Sequence, residues 1–319
     1  MPRILFVKTS SLGDVVHNCP AVSDVAHLVP EASIDWVIEE AFAEVAAMHA
    51  SVRRVIPIAI RRWRGALLDA ATWPQMSGFF RALRTEHYDC VIDSQGLVKS
   101  ALVANLARGP AHGFDGGSAR ERLAAEFYDF RHAVGPAEHA VGRNRRLAAA
   151  ALGYALPDTC DYGLRAAGAP PIEVREPFAL LLTMSSRADK LWPEVCWIAL
   201  GRRLAGAGIG CILPWGSSEE QASCGRIAAN IDAALVPGRM SLAEIARLMR
   251  RARCVAGVDT GLAHLAEALG VPAVGIYAGS DPSLTGLFGS SLAANVGAPG
   301  APPSADDVFA ALAALWARA

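Results

Sequence analysis

The chain has 319 residues, 52% hydrophobic and 19% charged, which is ample for two buried cores, and its formal net charge is −1. With a pI of about 6.7 it has no global field for nucleic acid, so an anionic partner must be met by a local patch. Seven scattered cysteines without a Cys-x-x-Cys pair argue against a disulfide framework or a zinc site, and no apolar run reaches the length of a membrane span or a signal-peptide core, so the expected compartment is the cytoplasm.

Arg3 to Lys8 reads as a buried parallel strand, and Thr9-Ser10-Ser11-Leu12-Gly13-Asp14 as a small-residue turn into a helix from Val15 to about Leu28. The turn after a first strand is where open α/β sheets place ligands. Asp14 alone is no more than a first-turn acid favoured by the helix dipole. With Lys8, Ser10, Ser11 and Gly13 beside it, it becomes part of a polar, flexible pocket lip.

Strands over 34–38, 52–58, 88–93 and 112–114 alternate with helices over 41–49, 74–86, 97–107 and 140–152, the rhythm of a mainly parallel sheet. Arg53, Arg54, Arg61, Arg62 and Arg64 crowd a span of twelve residues around Trp63. Such a run is commonly only a solvated face. This one follows the end of a strand, where guanidinium groups would hold carboxylates or phosphates through bidentate hydrogen bonds, and Arg120 and Arg122 are candidates to join it. Asp93-Ser94-Gln95-Gly96 forms a second polar strand-end loop.

Four prolines between Ala155 and Pro177 mark the domain boundary. It separates a first domain over 1–160 from a second over 178–303, with 161–177 as linker. The second series opens with the strand Phe178–Leu182, a loop carrying Thr183, Ser185 and Lys190, and a helix starting at Pro193. Gly206-Ala207-Gly208-Ile209-Gly210 follows that helix and precedes a strand, the reverse of a dinucleotide fingerprint, and is rejected as one. Trp215 to Glu220 is a better candidate, because an aromatic with Glu219 and Glu220 at a βα turn suits a base and ribose hydroxyls; the same residues also suit a helix start.

A strand over 234–236 and a helix that Met240-Ser241-Leu242 opens lead to the run Val255 to Gly270, a strand, tight turn and helix. Asp259 and Thr260 stand at the helix N-cap, Gly261 relieves the backbone, and free N–H groups there form a seat for phosphate that His264, one turn on, is close enough to face. The last helix, over 306–316, has no strand to follow and is a candidate to pack back across the domain junction.

Together these residues resemble the bacterial ADP-heptose:lipopolysaccharide heptosyltransferases, most closely the type I enzymes that add heptose to Kdo. The likeness rests on Val7 to Val15, Asp35 to Glu40, Arg53 to Arg64 and Val258 to Leu265. It implies a GT-B fold, two Rossmann-like domains facing across a cleft, with the acceptor on the first and the nucleotide sugar on the second. It also implies inverting transfer from ADP-L-glycero-β-D-manno-heptose to the Kdo of Kdo2-lipid A, by a protein peripheral to the anionic cytoplasmic face of the inner membrane.

In that setting Asp14 is the expected base and Lys190 the cation on the leaving diphosphate. Thr183, Ser185, Glu219 or Glu220, Met240, Asp259, Thr260, Gly261 and His264 are expected around the donor. Lys8, Ser10, Ser11, Gly13, Arg61, Arg62, Arg64 and Arg120 are expected around the acceptor. No Asp-x-Asp occurs, so no metal and no cofactor are expected. A nucleotide-sugar epimerase of the same fold, another heptosyltransferase, or a non-catalytic sugar-nucleotide binder are the alternatives.

Overall fold

The apolar runs of the first half assemble into one sheet in the computed structural model, which describes residues 1–318. The strands are β1 (Arg3–Val7), β2 (Ser33–Glu39), β3 (Val52–Ile58), β4 (Cys90–Asp93), β5 (Ala111–Phe114) and β6 (Phe130–His132). All pairs are parallel, in the order β3-β2-β1-β4-β5-β6. Ile4, Leu5, Phe6 and Val7 are completely buried, as a central strand covered on both faces must be.

The helices of this half are α1 (Leu12–Val16), α2 (Cys19–Leu28), α3 (Ala43–Ala47), α4 (Ile60–Gly65), α5 (Thr72–Leu83), α6 (Val98–Leu106) and α7 (Ala140–Leu152). The helix expected from Val15 to Leu28 is broken in two. Pro20 in the first turn of α2 has no N–H to donate and its ring clashes with the carbonyl four residues back, so the chain restarts at Cys19.

The second half repeats the pattern. Strands β7 (Phe178–Leu182), β8 (Gly210–Ile212), β9 (Ala234–Leu235), β10 (Cys254–Val258), β11 (Ala273–Tyr277) and β12 (Ala293–Gly297) form a parallel sheet in the order β12-β11-β10-β7-β8-β9. Its helices are α8 (Glu194–Gly206), α9 (Ser218–Ala228), α10 (Leu242–Met249), α11 (Gly261–Ala268), α12 (Pro282–Thr285) and α13 (Ala305–Trp316). The glycines at 206, 208 and 210 lie between α8 and β8, away from any strand-to-helix turn.

Contacts divide the chain into Met1–Leu164 and Arg165–Ala319, a division inside the proline-rich stretch. Leu164 still bridges to His49, and Arg145 on α7 grips both Asp24 on α2 and the carbonyl of Pro157, so the start of that stretch belongs to the first unit. The final helix does follow a strand, β12, and packs against α8, β10, β11 and β12 of its own unit. Both β12 and β6 are short edge strands with exposed residues, which gives them no clean apolar period to read. Each sheet has the doubly wound order in which the direction of winding reverses beside the first strand, between β1 and β4 and between β7 and β10. Loops leaving the carboxyl ends of those pairs flank a crevice, the place where open α/β sheets bind ligands.

Candidate active site

In the first unit the turns after β1 and β4 meet. Asp93, at the end of β4, is fully buried and accepts hydrogen bonds from the Tyr128 hydroxyl at 2.7 Å, the Ser100 hydroxyl at 2.8 Å and the Gln95 N–H at 2.8 Å. This fixes the second loop, and the Gln95 side-chain carbonyl in turn accepts the N–H groups of Thr9 and Ser10 at 3.1 and 3.2 Å. Gln95 is therefore the brace of the Asp14 turn. The sequence placed it in a polar loop and assigned it no task.

Lys8, Thr9 and Ser10 are buried, so the flexible pocket lip expected there is a packed floor. The Lys8 ammonium donates to the Ser94 carbonyl at 2.7 Å and to the Asn144 side chain at 3.5 Å. Burial brings its pKa down to about 8, with Arg120 adding to the fall and Asp14 opposing it.

Asp14 sits in the first turn of α1. One oxygen accepts the Ser11 N–H at 3.0 Å and its hydroxyl at 3.1 Å, and the other accepts from Arg120 at 2.6 Å. Burial favours the neutral acid, but Lys8, Arg120 and the Ser11 N–H outweigh it and bring the carboxyl down to about 2. Gly13 is half-buried in the same turn.

The arginine cluster divides. Arg53 and Arg54 lie at the start of β3, where both pair with the buried Asp35 at 2.8 and 3.0 Å, and they do not follow the strand end as expected. Arg61, Arg62 and Arg64 do follow it, on α4. Arg62 is engaged bidentately by Glu40 at 2.9 Å and also meets Gln75, while Arg61 lies over the Phe42 ring at 5.7 Å. A short relay ties this helix to the Asp14 turn: Glu39 donates its N–H to Thr9 O at 3.1 Å and accepts the Arg61 N–H at 3.1 Å.

In the second unit the loops after β7 and β10 converge. Asp259 does not cap α11; its carboxylate accepts from the Lys190 ammonium at 2.5 Å and from the Ser280 hydroxyl, and lies 3.6 Å from His264 Nε2. Burial pushes the Asp259 carboxyl up, but hydrogen bonds from His264, Lys190 and Ser280 prevail and hold it well below the carboxylate range. Thr260 occupies the N-cap position and its side chain makes no capping hydrogen bond, which leaves the N–H that opens the helix at Gly261 without a cap from that residue.

Ser280 and Gly279, on the turn after β11, join this cluster, and the sequence attached no role to them. A Cβ on Gly279 would stand 2.3 Å from the Asp189 carbonyl, so a glycine is what lets this turn close on the one carrying Lys190.

The remaining donor candidates are less alike. Thr183 is buried and shares a hydrogen bond with the Cys224 sulfur at 3.6 Å, and Ser185 stays half-buried on the loop. Glu220 is spent on its own helix, accepting the N–H groups of Gly216 at 2.7 Å and Ser217 at 3.3 Å, whereas Glu219 is exposed. Met240 is half-buried just before the α10 cap.

With this geometry in view, the chain matches known proteins over nearly its full length. The profile of glycosyltransferase family 9 (heptosyltransferase) matches residues 76–307. The lipopolysaccharide heptosyltransferase 1 of Salmonella typhimurium is 44% identical over 292 residues, 91% of this chain and 92% of that protein. Two solved structures of the E. coli heptosyltransferase WaaC, one with ADP and one with ADP-2-deoxy-2-fluoro heptose, are each 40% identical. The first has a TM-score of 0.91 over 98% of this chain and the second 0.85 over 99%, and each match covers 99% of the solved chain.

Proposed function

The chain belongs to glycosyltransferase family 9, the heptosyltransferases, and on that premise we propose that it moves heptose from ADP-L-glycero-β-D-manno-heptose to the Kdo of Kdo2-lipid A, with inversion. Its fold is GT-B, α/β with two parallel six-stranded sheets. The observation that carries the donor half of the reading is the Lys190 ammonium, held by Asp259 beside the uncapped N-terminus of α11, at the point where the second sheet reverses its winding. A cation and free N–H groups in one crevice suit a diphosphate.

ADP leaves with growing negative charge on its terminal phosphate. Lys190 and the N–H groups at Thr260 and Gly261 stabilise that charge from fixed positions, with Asp259 and His264 holding the turn in place. Glu219, left free by the helix cap that occupies Glu220, serves the ribose hydroxyls. The positive charge needed on the diphosphate comes from the protein, and the sequence has no Asp-x-Asp to hold a divalent ion, so the transfer is independent of metal.

On the acceptor side Asp14 takes the proton of the attacking Kdo hydroxyl, a task typically worth ~10²–10⁴ in rate. A carboxyl near pH 2 is a weak base, so its pairing with Arg120 describes the resting enzyme. The Kdo carboxylate competes for the Arg120 guanidinium, frees the Asp14 oxygen and raises its basicity as the acceptor seats. Ser10, Ser11 and Gly13 line this turn, and Arg61 and Arg64 receive anionic groups of the acceptor. Arg62, already paired with Glu40, does so least.

The acceptor is a lipid, so the enzyme works as a peripheral protein at the cytoplasmic face of the inner membrane. Among the described residues no helix is long and apolar enough to cross a bilayer. The test is ADP release from ADP-heptose with and without Kdo2-lipid A, in buffer with excess EDTA. Release that needs the acceptor and is unaffected by EDTA is expected. An isomerised sugar formed without acceptor would indicate an epimerase instead, and activity restored only by magnesium would remove the metal-free chemistry.

A further inference from the structure

Between Ile60 and Leu83 the chain runs through α4, a connecting turn and α5, beside the edge strand β3. Trp63, Phe79 and Leu83 enter the core under that strand. Leu67 and Trp73 are instead 48% and 58% exposed, and Leu68 is wholly so. A single exposed leucine needs no explanation, but three large apolar side chains exposed within seven residues do.

The charge around them is one-sided. From Ile60 to Thr85 stand Arg61, Arg62, Arg64, Arg81 and Arg84 against one acid, Asp69. Arg62 is neutralised by Glu40 and Arg84 donates to the Leu106 carbonyl, while Arg61, Arg64 and Arg81 are exposed. Exposed leucine and tryptophan side chains with guanidinium groups on the two helices that the turn joins complement a bilayer with anionic headgroups: the indole sits at headgroup level, the leucines below it and the arginines on phosphates. A second copy of the chain fits poorly, because a two-fold interface would set arginines against arginines.

We propose that the turn joining α4 to α5 is the membrane-docking element of this protein, with Leu67, Leu68 and Trp73 entering the surface of an anionic bilayer and Arg81 resting on its phosphates, beside Arg61 and Arg64, which take the anionic groups of the acceptor embedded there. The proposal rests on the reading that the acceptor is a membrane lipid, and adds where the bilayer is met. β1, β2 and β3 are parallel neighbours, so α4 leaves the same sheet edge as the Asp14 turn, about 10 Å away across β2. Docking by this turn brings a lipid-borne sugar to that edge.

The test is flotation of the full chain with vesicles of phosphatidylethanolamine and phosphatidylglycerol, and with vesicles of phosphatidylcholine alone. The wild type is expected to bind only the anionic vesicles. Changing Leu67, Leu68 and Trp73 together to serine, at exposed positions that leave the core intact, is expected to weaken that binding roughly tenfold or more. Arg81→Ala is expected to weaken it about fivefold. The serine variant should lose transfer to acceptor embedded in vesicles while retaining it on a deacylated, water-soluble acceptor.

A wild type that binds neither vesicle overturns the peripheral reading and this proposal with it. A wild type that binds anionic vesicles no better than its serine variant leaves the peripheral reading standing and overturns the docking turn. A serine variant that changes oligomeric mass but not vesicle binding would make the patch an interface between copies, and also overturns the proposal.

Discussion

Replacing Asp14 by asparagine keeps the shape of the side chain and its ability to accept the Ser11 N–H, but removes the charge that Arg120 and Lys8 face and the capacity to take a proton. Two magnitudes follow. A carboxyl brought to about 2 from an ordinary 3.8 contributes about 2 kcal/mol to folding at neutral pH. Because the folded-state value is the depressed one, that contribution is complete above pH 3.8 and is lost as the pH falls towards 2. Asp14→Asn forfeits it at neutral pH, which for a unit of this size lowers the melting temperature by roughly 4–8 °C. Loss of the base should cut kcat by ~10²–10⁴, or about 3–5 kcal/mol of barrier. The assay is ADP release at saturating donor and acceptor, paired with calorimetric titration of ADP and a thermal melt. ADP affinity should stay within twofold or so of wild type, since the groups assigned to the diphosphate all lie in the second unit. A kcat within about threefold of wild type would take Asp14 out of the proton transfer, and an equal loss of ADP affinity would show that the substitution acts through global damage instead.

Lys190→Ala should weaken ADP binding by roughly tenfold or more and slow transfer, because it removes a cation from the diphosphate and leaves the buried Asp259 short of a partner; unchanged ADP affinity would dismiss the leaving-group role. Gly279→Ala forces a Cβ towards the Asp189 carbonyl and should lower ADP affinity without touching any ligand atom, a change read by the same titration. Arg61→Ala with Arg64→Ala should raise the acceptor KM and lessen its salt sensitivity with ADP-heptose affinity unaltered, and lysine at both positions should rescue only part of the loss. For pH, the relevant group is His49, whose pKa burial brings from 6.5 down to about 4, where Nδ1 accepts the Ser51 N–H and Nε2 meets the Cys19 carbonyl. Its folded-state value is depressed, so stability is complete above pH 6.5 and falls below it, by about 2 kcal/mol at pH 5, and urea melts of His49→Gln should show a flatter dependence on pH.

The sequence by itself determined the alternation of strands and helices, the turns that end at Asp14 and Asp259, and the membership of Lys190 and His264 in a polar strand-end site. These are local properties. An apolar run of five residues, a glycine after it and a capping residue declare themselves within a dozen positions. What only the tertiary structure decided is how those turns are paired. The order of strands in each sheet, and with it the reversal that brings the Asp93 loop to the Asp14 turn and the Lys190 loop to Asp259, depends on contacts far apart along the chain. Arg120 reaches Asp14 across 106 positions and Lys190 reaches Asp259 across 69, separations over which no periodicity is visible. The same limit explains the arginines. In the sequence Arg53 and Arg54 stand with Arg61, Arg62 and Arg64, but a seven-residue strand lifts the chain by about 3.3 Å per residue and carries the two groups to opposite ends of β3, one pair to a buried aspartate and the other three to the edge where the acceptor is proposed to bind.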